Sequence, residues 1–296
     1  MSNKIRIGTR NSRLALAQTN LVVEALKKAA PSLSIEVVSM STKGDKLLDR
    51  SLLSFGGKGV FVEEFESKML NGEIDIAVHS AKDMPMQMED GLGILSVLER
   101  EDPRDVLVTK KGFVWNREEN IIVGTSSLRR QMQIKNVGKA ECRLLRGNIN
   151  TRLQKLEDGI YDGIILAAAG LKRLGLDQEK KYDYHYFSCK EFVPSGGQGI
   201  IAIEGRMDSK FAPLLKKICD RKSEIRLKAE REVLRYLDAG CHEPIGVYST
   251  IEEDKMELIL IVETNRYSVK GNACDYLKLA RKIAELSKGK GNERNG

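Results

Sequence analysis

The sequence predicts an α/β protein with two α/β domains of similar plan, followed by a small α+β domain. Three observations support this prediction. The chain has 296 residues, which is enough for two domains of ordinary size and a smaller third. Short β-branched strands alternate with helical patterns, as in βαβ units around a largely parallel sheet. The two halves of the chain also repeat the same pattern.

The internal repeat is visible in two pairs of segments. IRIGTRNSRLALAQ (5–18) resembles IIVGTSSLRRQMQI (121–134), since each has a β-branched strand, a Gly-Thr turn with hydroxyls and arginines, and then a helical pattern. Downstream, NGEIDIAVHSAKDM (71–84) matches DGIYDGIILAAAGL (158–171) at a constant offset. The sequence therefore predicts two domains with one scaffold.

Helical patterns follow the strands of each half, over residues 15–29, 60–70, 128–135 and 151–156. After residue 223, the pattern predicts the small α+β domain, with a helix over 226–238, strands over 247–250 and 256–263, and a closing helix over 275–287.

Two segments are expected to carry the chain between the first two domains. LEREDPRDVLV (98–108) is charged and contains Pro103, which is typical of a hinge. EFVPSGGQGIIAIEG (191–205) is expected to lead back to the first domain, and Gln198 is expected to stabilise this crossing. Two similar domains with a hinge and a cleft form a periplasmic-binding-protein-like plan. The predicted domains are 1–98 plus 194–217, 104–190 and 220–290, with a disordered tail at 291–296.

The composition argues against several classes of protein. The chain shows no leader pattern and no apolar run of the ~18–20 residues that a membrane span needs, so we expect a soluble, cytoplasmic protein. Its five cysteines are scattered, odd in number and never in a CxxC pair, and with three histidines they predict neither a disulfide framework nor a metal site. The net charge of +7 favours acidic partners, but an aromatic content of 5% does not favour nucleic acid.

Hydroxyls and arginines concentrate where ligands bind in an open α/β sheet, at the turns from strands into helices. They occur in TRNSR (9–13), GTSSLRR (124–130) and LLRGNINTRL (144–153), where Arg146 is expected to end a strand and Arg152 to lie in the first turn of a helix. Cations at helix starts are unfavourable, because the positive end of the helix dipole lies there. A bound anion would offset this repulsion. We therefore expect a ligand with several carboxylates or phosphates, bound between the domains.

One acid and one cationic loop accompany these cations. Asp83 in HSAKDMP (79–85) follows an apolar strand, and the matching positions of the second half are Ala169 and Gly170. Two readings of Asp83 are open. It could pair with the charge of Lys82 or of a nearby arginine, or it could be a functional carboxylate that holds developing positive charge or passes protons. FGGKGVF (55–61) lacks phosphate-loop spacing and is interpreted as a lid.

A loop cysteine lies in RYLDAGCHEPIGVYS (235–249), between Gly240 and His242. From these residues alone Cys241 could be a nucleophile, a metal ligand, an attachment point or an inert thiol.

The chain resembles the porphobilinogen deaminase family, also called hydroxymethylbilane synthase, from Ile5 to about Tyr248. The resemblance rests on motifs in the family's order: GTRNSRLALAQ, STKGDK, GGKGVFVEE, HSAKDMP, EDPRDVLV, VGTSSLRRQ, LRGNINTRL, LAAAGLKRLG, GGQGIIAIE and GCHEPIG. It implies a transferase of tetrapyrrole and heme biosynthesis. Four porphobilinogen molecules would be condensed head to tail, with loss of ammonia, onto a dipyrromethane cofactor, and hydrolysis would release hydroxymethylbilane.

The resemblance also implies the residue roles. Cys241 would carry the dipyrromethane through a thioether, and Asp83 would be the catalytic acid/base. The other cofactor contacts would be Lys82, Ser127, Arg129 and Arg130, together with Asp83 itself. Substrate and growing chain would contact Arg10, Ser12, Gln18, Lys58, Arg146, Arg152 and Arg173. Porphobilinogen would be the small-molecule partner of a monomer.

The sequence departs from the family's common pattern at Ser54, Ala81 and Met84. Ser54 removes a cation from the lid, and the other two change the packing around Asp83. A non-catalytic solute-binding protein is the alternative reading of two α/β domains with cations at the ligand side, but such a protein has no use for Asp83 or Cys241.

Overall fold

The structure, a computed structural model, describes residues 4–40, 62–239 and 243–289. The predicted lid with Lys58, the predicted attachment residue Cys241 and the predicted disordered tail at 291–296 lie outside these residues. Within the described ranges, no helix is both long and apolar enough to cross a membrane. The same ranges contain no group of three or more His, Cys, Asp and Glu side chains that could hold a metal ion.

Strands and helices alternate through most of the described chain. The strands are β1 (Lys4–Arg10), β2 (Ser34–Met40), β3 (Ile76–Ser80), β4 (Leu92–Val97), β5 (Asp105–Lys110), β6 (Ile121–Gly124), β7 (Ala140–Arg143), β8 (Gly163–Ala167), β9 (Tyr182–Tyr186), β10 (Ile201–Arg206), β11 (Ile245–Glu252), β12 (Lys255–Val262) and β13 (Asn265–Asn272). The helices are α1 (Arg13–Ala29), α2 (Glu63–Leu70), α3 (Leu128–Val137), α4 (Ile149–Glu157), α5 (Ala168–Arg173), α6 (Ala212–Lys217), α7 (Arg221–Tyr236) and α8 (Tyr276–Gly289).

The chain forms two compact units, unit 1 (Met1–Glu101 and Ile200–Glu224) and unit 2 (Asp102–Gly199 and Ile225–Gly296). The described sheet of unit 1 has the order β2-β1-β3-β10-β4, and one sheet of unit 2 has the order β7-β6-β8-β5-β9. In each, the first three strands are parallel and the fourth is antiparallel to both of its neighbours. The α/β class and the repeated plan are therefore confirmed by strand order.

The repeat extends to individual hydrogen bonds. The Asp75 carboxylate accepts a hydrogen bond from the backbone N–H of Arg6 at 2.8 Å, and the Asp162 carboxylate accepts one from the backbone N–H of Ile122 at 2.7 Å. In return, the N–H of each aspartate donates to the carbonyl of the same partner residue, at 2.9 Å in both units. Each aspartate thus fixes the start of β3 or β8 against the neighbouring parallel strand, β1 or β6.

Unit 2 also contains a three-stranded antiparallel sheet, β11-β12-β13. Its core is formed by Val247, Leu258 and Leu260 on the strands with Val233 of α7 and Ile283 of α8, all buried. This is the small α+β element that the sequence predicts, with one more strand than expected. β13 was missed because its sequence, NRYSVKGN, is mostly polar and only partly buried.

A buried acid pair lies in unit 1. Glu66 of α2 is 4% exposed and lines a cavity of about 230 Å³ with Glu63, Glu89 and other residues. Its carboxyl accepts a hydrogen bond from the backbone N–H of Glu89 at 3.2 Å, and it neighbours the fully buried Glu204. Burial, with the Glu204 carboxyl as a further cause, raises the pKa of Glu66 to about 6. The folded chain therefore holds a proton on Glu66 that the unfolded chain releases at lower pH.

This pKa predicts a pH-dependent effect of the substitution Glu66→Gln. The unfolded carboxyl loses its proton near 4.5 and the folded one near 6, so the contribution of Glu66 to stability falls as pH rises between these values. The loss amounts to about 2 kcal/mol at neutral pH. Urea unfolding should show E66Q to be more stable than the parent by about 1–2 kcal/mol at pH 7.5 and unchanged near pH 4.

The control is Glu63→Gln, an exposed acid in the first turn of the same helix. Loss of that acid should lower the free energy of unfolding slightly, by about 0.3–1 kcal/mol, because a negative charge in the first turn interacts favourably with the helix dipole. An equal effect of E66Q at both pH values would show that Glu66 does not carry the proton.

Candidate functional site

Side-chain oxygens cap the helices that follow β1, β6 and β7. Ser12 accepts a hydrogen bond from the N–H of Ala15 at the start of α1, at 3.2 Å, and Asn148 accepts one from Thr151 at the start of α4, at 2.9 Å. Ser127 caps α3 in the same way. Ser12 and Ser127, two of the hydroxyls expected to receive an anion, thus lie at helix starts, where each already accepts from one backbone donor.

Two buried arginines share one buried carboxylate in unit 2. Nη1 of Arg129 donates to Asp105 Oδ2 at 2.7 Å and to the Val193 carbonyl at 2.8 Å. Nε and Nη2 of Arg130 both donate to Asp105 Oδ1, at 3.0 and 2.7 Å, and its Nη1 donates to the Ile165 carbonyl at 2.9 Å. The side chain of Asp105 is 0% exposed, and those of the arginines are 5% and 8% exposed. The guanidinium groups therefore belong to an internal ion cluster.

Asp105 is the site residue that the sequence analysis does not identify. It is the first residue of β5, a strand whose next four residues are also buried. The sequence feature that indicates it is an acid directly before the apolar run of EDPRDVLV, within the segment interpreted as a hinge. An acid in that position needs a cationic partner, since an unpaired buried charge is very costly. Its partners, 24 and 25 positions away, could not be chosen from sequence spacing.

The returning segment at residues 193–198 is bonded to this cluster. Nε2 of Gln198 donates to the Pro103 carbonyl at 2.7 Å and to Asp105 Oδ1 at 3.2 Å. Gln133 of α3 binds both backbone groups of Val193, accepting from its N–H at 2.7 Å and donating to its carbonyl at 2.9 Å. The segment is therefore fixed to α3 and to the start of β5.

Arg129 retains donors that fit a carboxylate. In the described part of the chain, its hydrogen bonds use Nη1, and neither Nε nor Nη2 donates. That edge of a guanidinium forms two parallel hydrogen bonds with a carboxylate. Burial lowers the pKa of Arg129, with the Asp105 charge opposing the shift, so a second anion would favour the charged form. The residues present therefore fit a ligand that carries carboxylates.

Three further arginines lie on loops and helices of unit 2, and all are half-buried. Arg152 donates from Nε to the Gly147 carbonyl at 2.7 Å, and Arg173 donates from Nη2 to the Gly199 carbonyl at 2.6 Å. The expectation that Arg146 ends a strand is wrong, because β7 ends at Arg143 and Arg146 lies in the loop before α4. The break follows from Gly147, whose φ of 111° suits a glycine in a turn.

Asp83 lies at the end of a 3-10 turn, Ala81–Asp83, directly after β3. The Asp83 side chain is exposed, while Ala81 and Met84 on either side of it are 2% and 1% exposed. Nε2 of Gln18 on α1 donates to the Ser80 hydroxyl at 2.8 Å and so fixes the end of β3. The fold thus presents Asp83 to solvent from a packed turn.

Each unit gathers its own share of the predicted site residues. Unit 1 contains Arg10, Ser12, Gln18, Lys82 and Asp83. Unit 2 contains Ser127, Arg129, Arg130, Arg146, Arg152 and Arg173. Lys58 and Cys241 lie outside the described residues.

These features define a protein of two α/β units, with capped helix starts, an exposed acid and buried cations suited to a ligand with several carboxylates. The family model of the "porphobilinogen deaminase, dipyromethane cofactor binding domain" matches residues 5–212, and that of the "porphobilinogen deaminase, C-terminal domain" matches residues 225–279. The chain belongs to the porphobilinogen deaminase family.

Curated relatives agree with this assignment. Porphobilinogen deaminase of Caldicellulosiruptor saccharolyticus is 41% identical over 291 residues, which cover 96% of this chain and 99% of the relative. Porphobilinogen deaminase of Acetivibrio thermocellus is 44% identical over 257 residues, which cover 86% of each chain.

Among solved structures, the periplasmic VFT2 domain of Bordetella pertussis BvgS is 13% identical, with a TM-score of 0.43 over 77% of this chain and 94% of that domain. The reduced OxyR regulatory domain of Pseudomonas aeruginosa is 11% identical, with a TM-score of 0.42 over 77% of this chain and 94% of that domain.

The ion cluster predicts a large effect of Asp105→Asn. The substitution leaves two buried guanidinium groups without their counter-charge, which should lower the free energy of unfolding by about 3–5 kcal/mol in urea titrations. Asp208→Asn is the control, because Asp208 pairs with Arg206 on the surface with 70% of its side chain exposed. That change should cost no more than about 1 kcal/mol. Equal effects of the two variants would contradict the role given to Asp105.

Proposed function

We propose that the chain is a transferase that condenses four porphobilinogen molecules head to tail, with loss of ammonia, onto a covalent dipyrromethane, and then releases hydroxymethylbilane by hydrolysis. The observation that carries this proposal is the match of both family models, one of which is named for the dipyromethane cofactor. The relatives named porphobilinogen deaminase support an enzyme of tetrapyrrole synthesis.

We assign the catalytic acid/base role to Asp83. An exposed carboxylate held by a packed turn can carry a proton to the departing amine and offset positive charge on the reacting carbon. In unit 2 the matching positions, Ala169 and Gly170, lie in α5 and are buried. The acid therefore occurs in one copy of the repeat, as expected for one reaction centre.

We assign binding of the cofactor carboxylates to Lys82, Ser127, Arg129 and Arg130, and a further contact with the cofactor to Asp83. Each pyrrole ring carries an acetate and a propionate, and the Nε–Nη2 edge of Arg129 suits one such group. When bound, the dipyrromethane would supply the free pyrrole carbon to which the first ring is joined, and each later ring would be joined to the ring before it. Substrate and growing chain would contact Arg10, Ser12, Gln18, Lys58, Arg146, Arg152 and Arg173.

The cofactor would be attached through a thioether to Cys241, in the loop between α7 and β11. We propose that the protein acts as a monomer in the cytoplasm. Among the described residues, Cys142, Cys189, Cys219 and Cys274 form no disulfide bond.

Attachment is tested by the intact mass of the purified protein under denaturing conditions, before and after incubation with porphobilinogen. The parent should show an excess equal to two linked pyrrole units, and Cys241→Ser should show none. Cys274→Ser is the matched control, because Cys274 is an exposed free thiol in the same unit, and it should keep the excess. A parent without excess after incubation would refute covalent attachment.

The role of Asp83 predicts that Asp83→Asn lowers turnover of porphobilinogen by at least ~100-fold, because an amide neither carries the proton nor offsets positive charge. Circular dichroism and thermal melting should stay unchanged, since the side chain is exposed. Asp90→Asn, at another exposed acid of unit 1, should keep parental turnover. Substantial turnover in D83N would remove Asp83 from the reaction.

A further inference from the structure

Glu230 of α7 is a fully buried acid that binds backbone groups of two other segments. It is 0% exposed, and its carboxylate accepts hydrogen bonds from Gly197 and Ser249. Oε2 accepts from the backbone N–H of Gly197 at 2.7 Å. Oε1 accepts from the backbone N–H of Ser249 at 2.9 Å and from its hydroxyl at 2.7 Å. A buried carboxylate is kept only where such bonds are present, so the three contacts define one conformation.

These contacts lie on both sides of the loop that contains Cys241. The loop begins after Tyr236, where α7 ends, and finishes at Ile245, where β11 begins. Glu230 belongs to the helix before the loop and Ser249 to the strand after it. Its carboxylate therefore fixes the distance between the two ends of the loop.

The third contact reaches the segment at residues 193–198, which is bonded to the arginine cluster. The Val193 carbonyl accepts from Arg129 Nη1 at 2.8 Å, and the Pro194 carbonyl accepts from the N–H of Val247 on β11 at 2.9 Å. A Cβ added to Gly246 would lie 2.7 Å from the Val193 carbonyl oxygen, so β11 packs closely against this segment. Glu230 and Arg129 are thus both hydrogen-bonded to the short segment 193–197, at Gly197 and at Val193.

We infer that Glu230 is a positioning residue for the cofactor, which fixes α7 and β11, the elements before and after Cys241 in the chain, relative to the segment bonded to Arg129. The inference rests on the proposed function, because it needs a cofactor on Cys241 whose carboxylates bind the arginine cluster. A group tethered at one point and bound by its carboxylates at another reacts efficiently only when both points are fixed. Glu230 acts through its contacts with Gly197 and Ser249.

Two substitutions separate its contacts. Glu230→Gln keeps the shape of the side chain but turns one oxygen into an NH₂ group, so either the Gly197 N–H or the Ser249 pair loses its acceptor. Ser249→Ala removes only the hydroxyl bond and leaves the carboxylate in place. The control is Glu232→Gln on the same helix, because Glu232 pairs with Arg235, whose side chain is 60% exposed.

The experiment follows covalent loading of the cofactor-free protein by intact mass during incubation with porphobilinogen, and then measures kcat and KM per loaded molecule. Melting curves of the unloaded variants record stability separately. E230Q should load the cofactor at least roughly tenfold more slowly than the parent and should have a lower kcat per loaded molecule. S249A should show a loss of roughly threefold in the loading rate, because it lacks one hydrogen bond. E232Q should match the parent. A purely structural role would lower the melting temperature without changing the rates per folded, loaded molecule.

Every outcome decides the inference. Parental loading and parental kcat in folded E230Q would overturn it and leave the proposed function intact. If E230Q does not fold, S249A decides, and parental rates in S249A would overturn it. A parent that never gains the mass of two pyrrole units would instead refute the proposed function, and the inference with it.

Discussion

The buried carboxylate of Asp105 is the group on which the arrangement of unit 2 depends. It forms ion pairs with both Arg129 and Arg130 and accepts a hydrogen bond from Gln198. The start of β5, the first turn of α3 and the returning segment are therefore joined at one charged point. Removing one member of a buried ion cluster leaves an uncompensated charge, whereas the exposed ion pairs of this chain contribute little. Stability and cation placement thus follow from the same contact.

The two units use one scaffold for different purposes. Asp75 and Asp162, which directly precede β3 and β8, make the same bonds to the neighbouring strands β1 and β6. The segments after these strands differ, since β3 leads to the exposed Asp83 and β8 leads to the buried Gly170 at the matching position. The same hydrogen bonds thus keep the same strand pairing in both sheets, while only unit 1 presents an acid after the strand.

Much of the fold could be predicted from the sequence, because β-branched strands and the repeat are local patterns. The helices at α1 and α3 and the return of the chain through β10 follow such patterns. The strand β13 could not be predicted from its polar sequence, and Arg146 was placed wrongly because a glycine turn precedes α4. The pairing of Asp105 with the arginines depends on tertiary structure. The role of Cys241 came from family resemblance, since chemistry alone left several functions open.

The strand order has a consequence for synthesis of the chain on the ribosome. β10 lies between β3 and β4 in the sheet of unit 1, although it follows every strand of the five-stranded sheet of unit 2. The N-terminal unit therefore cannot complete its sheet until residue 206 has been made, whereas the strands of the other five-stranded sheet are available at residue 186. The edge of β3 stays open while the second sheet closes, so the later-made α/β sheet can finish folding first.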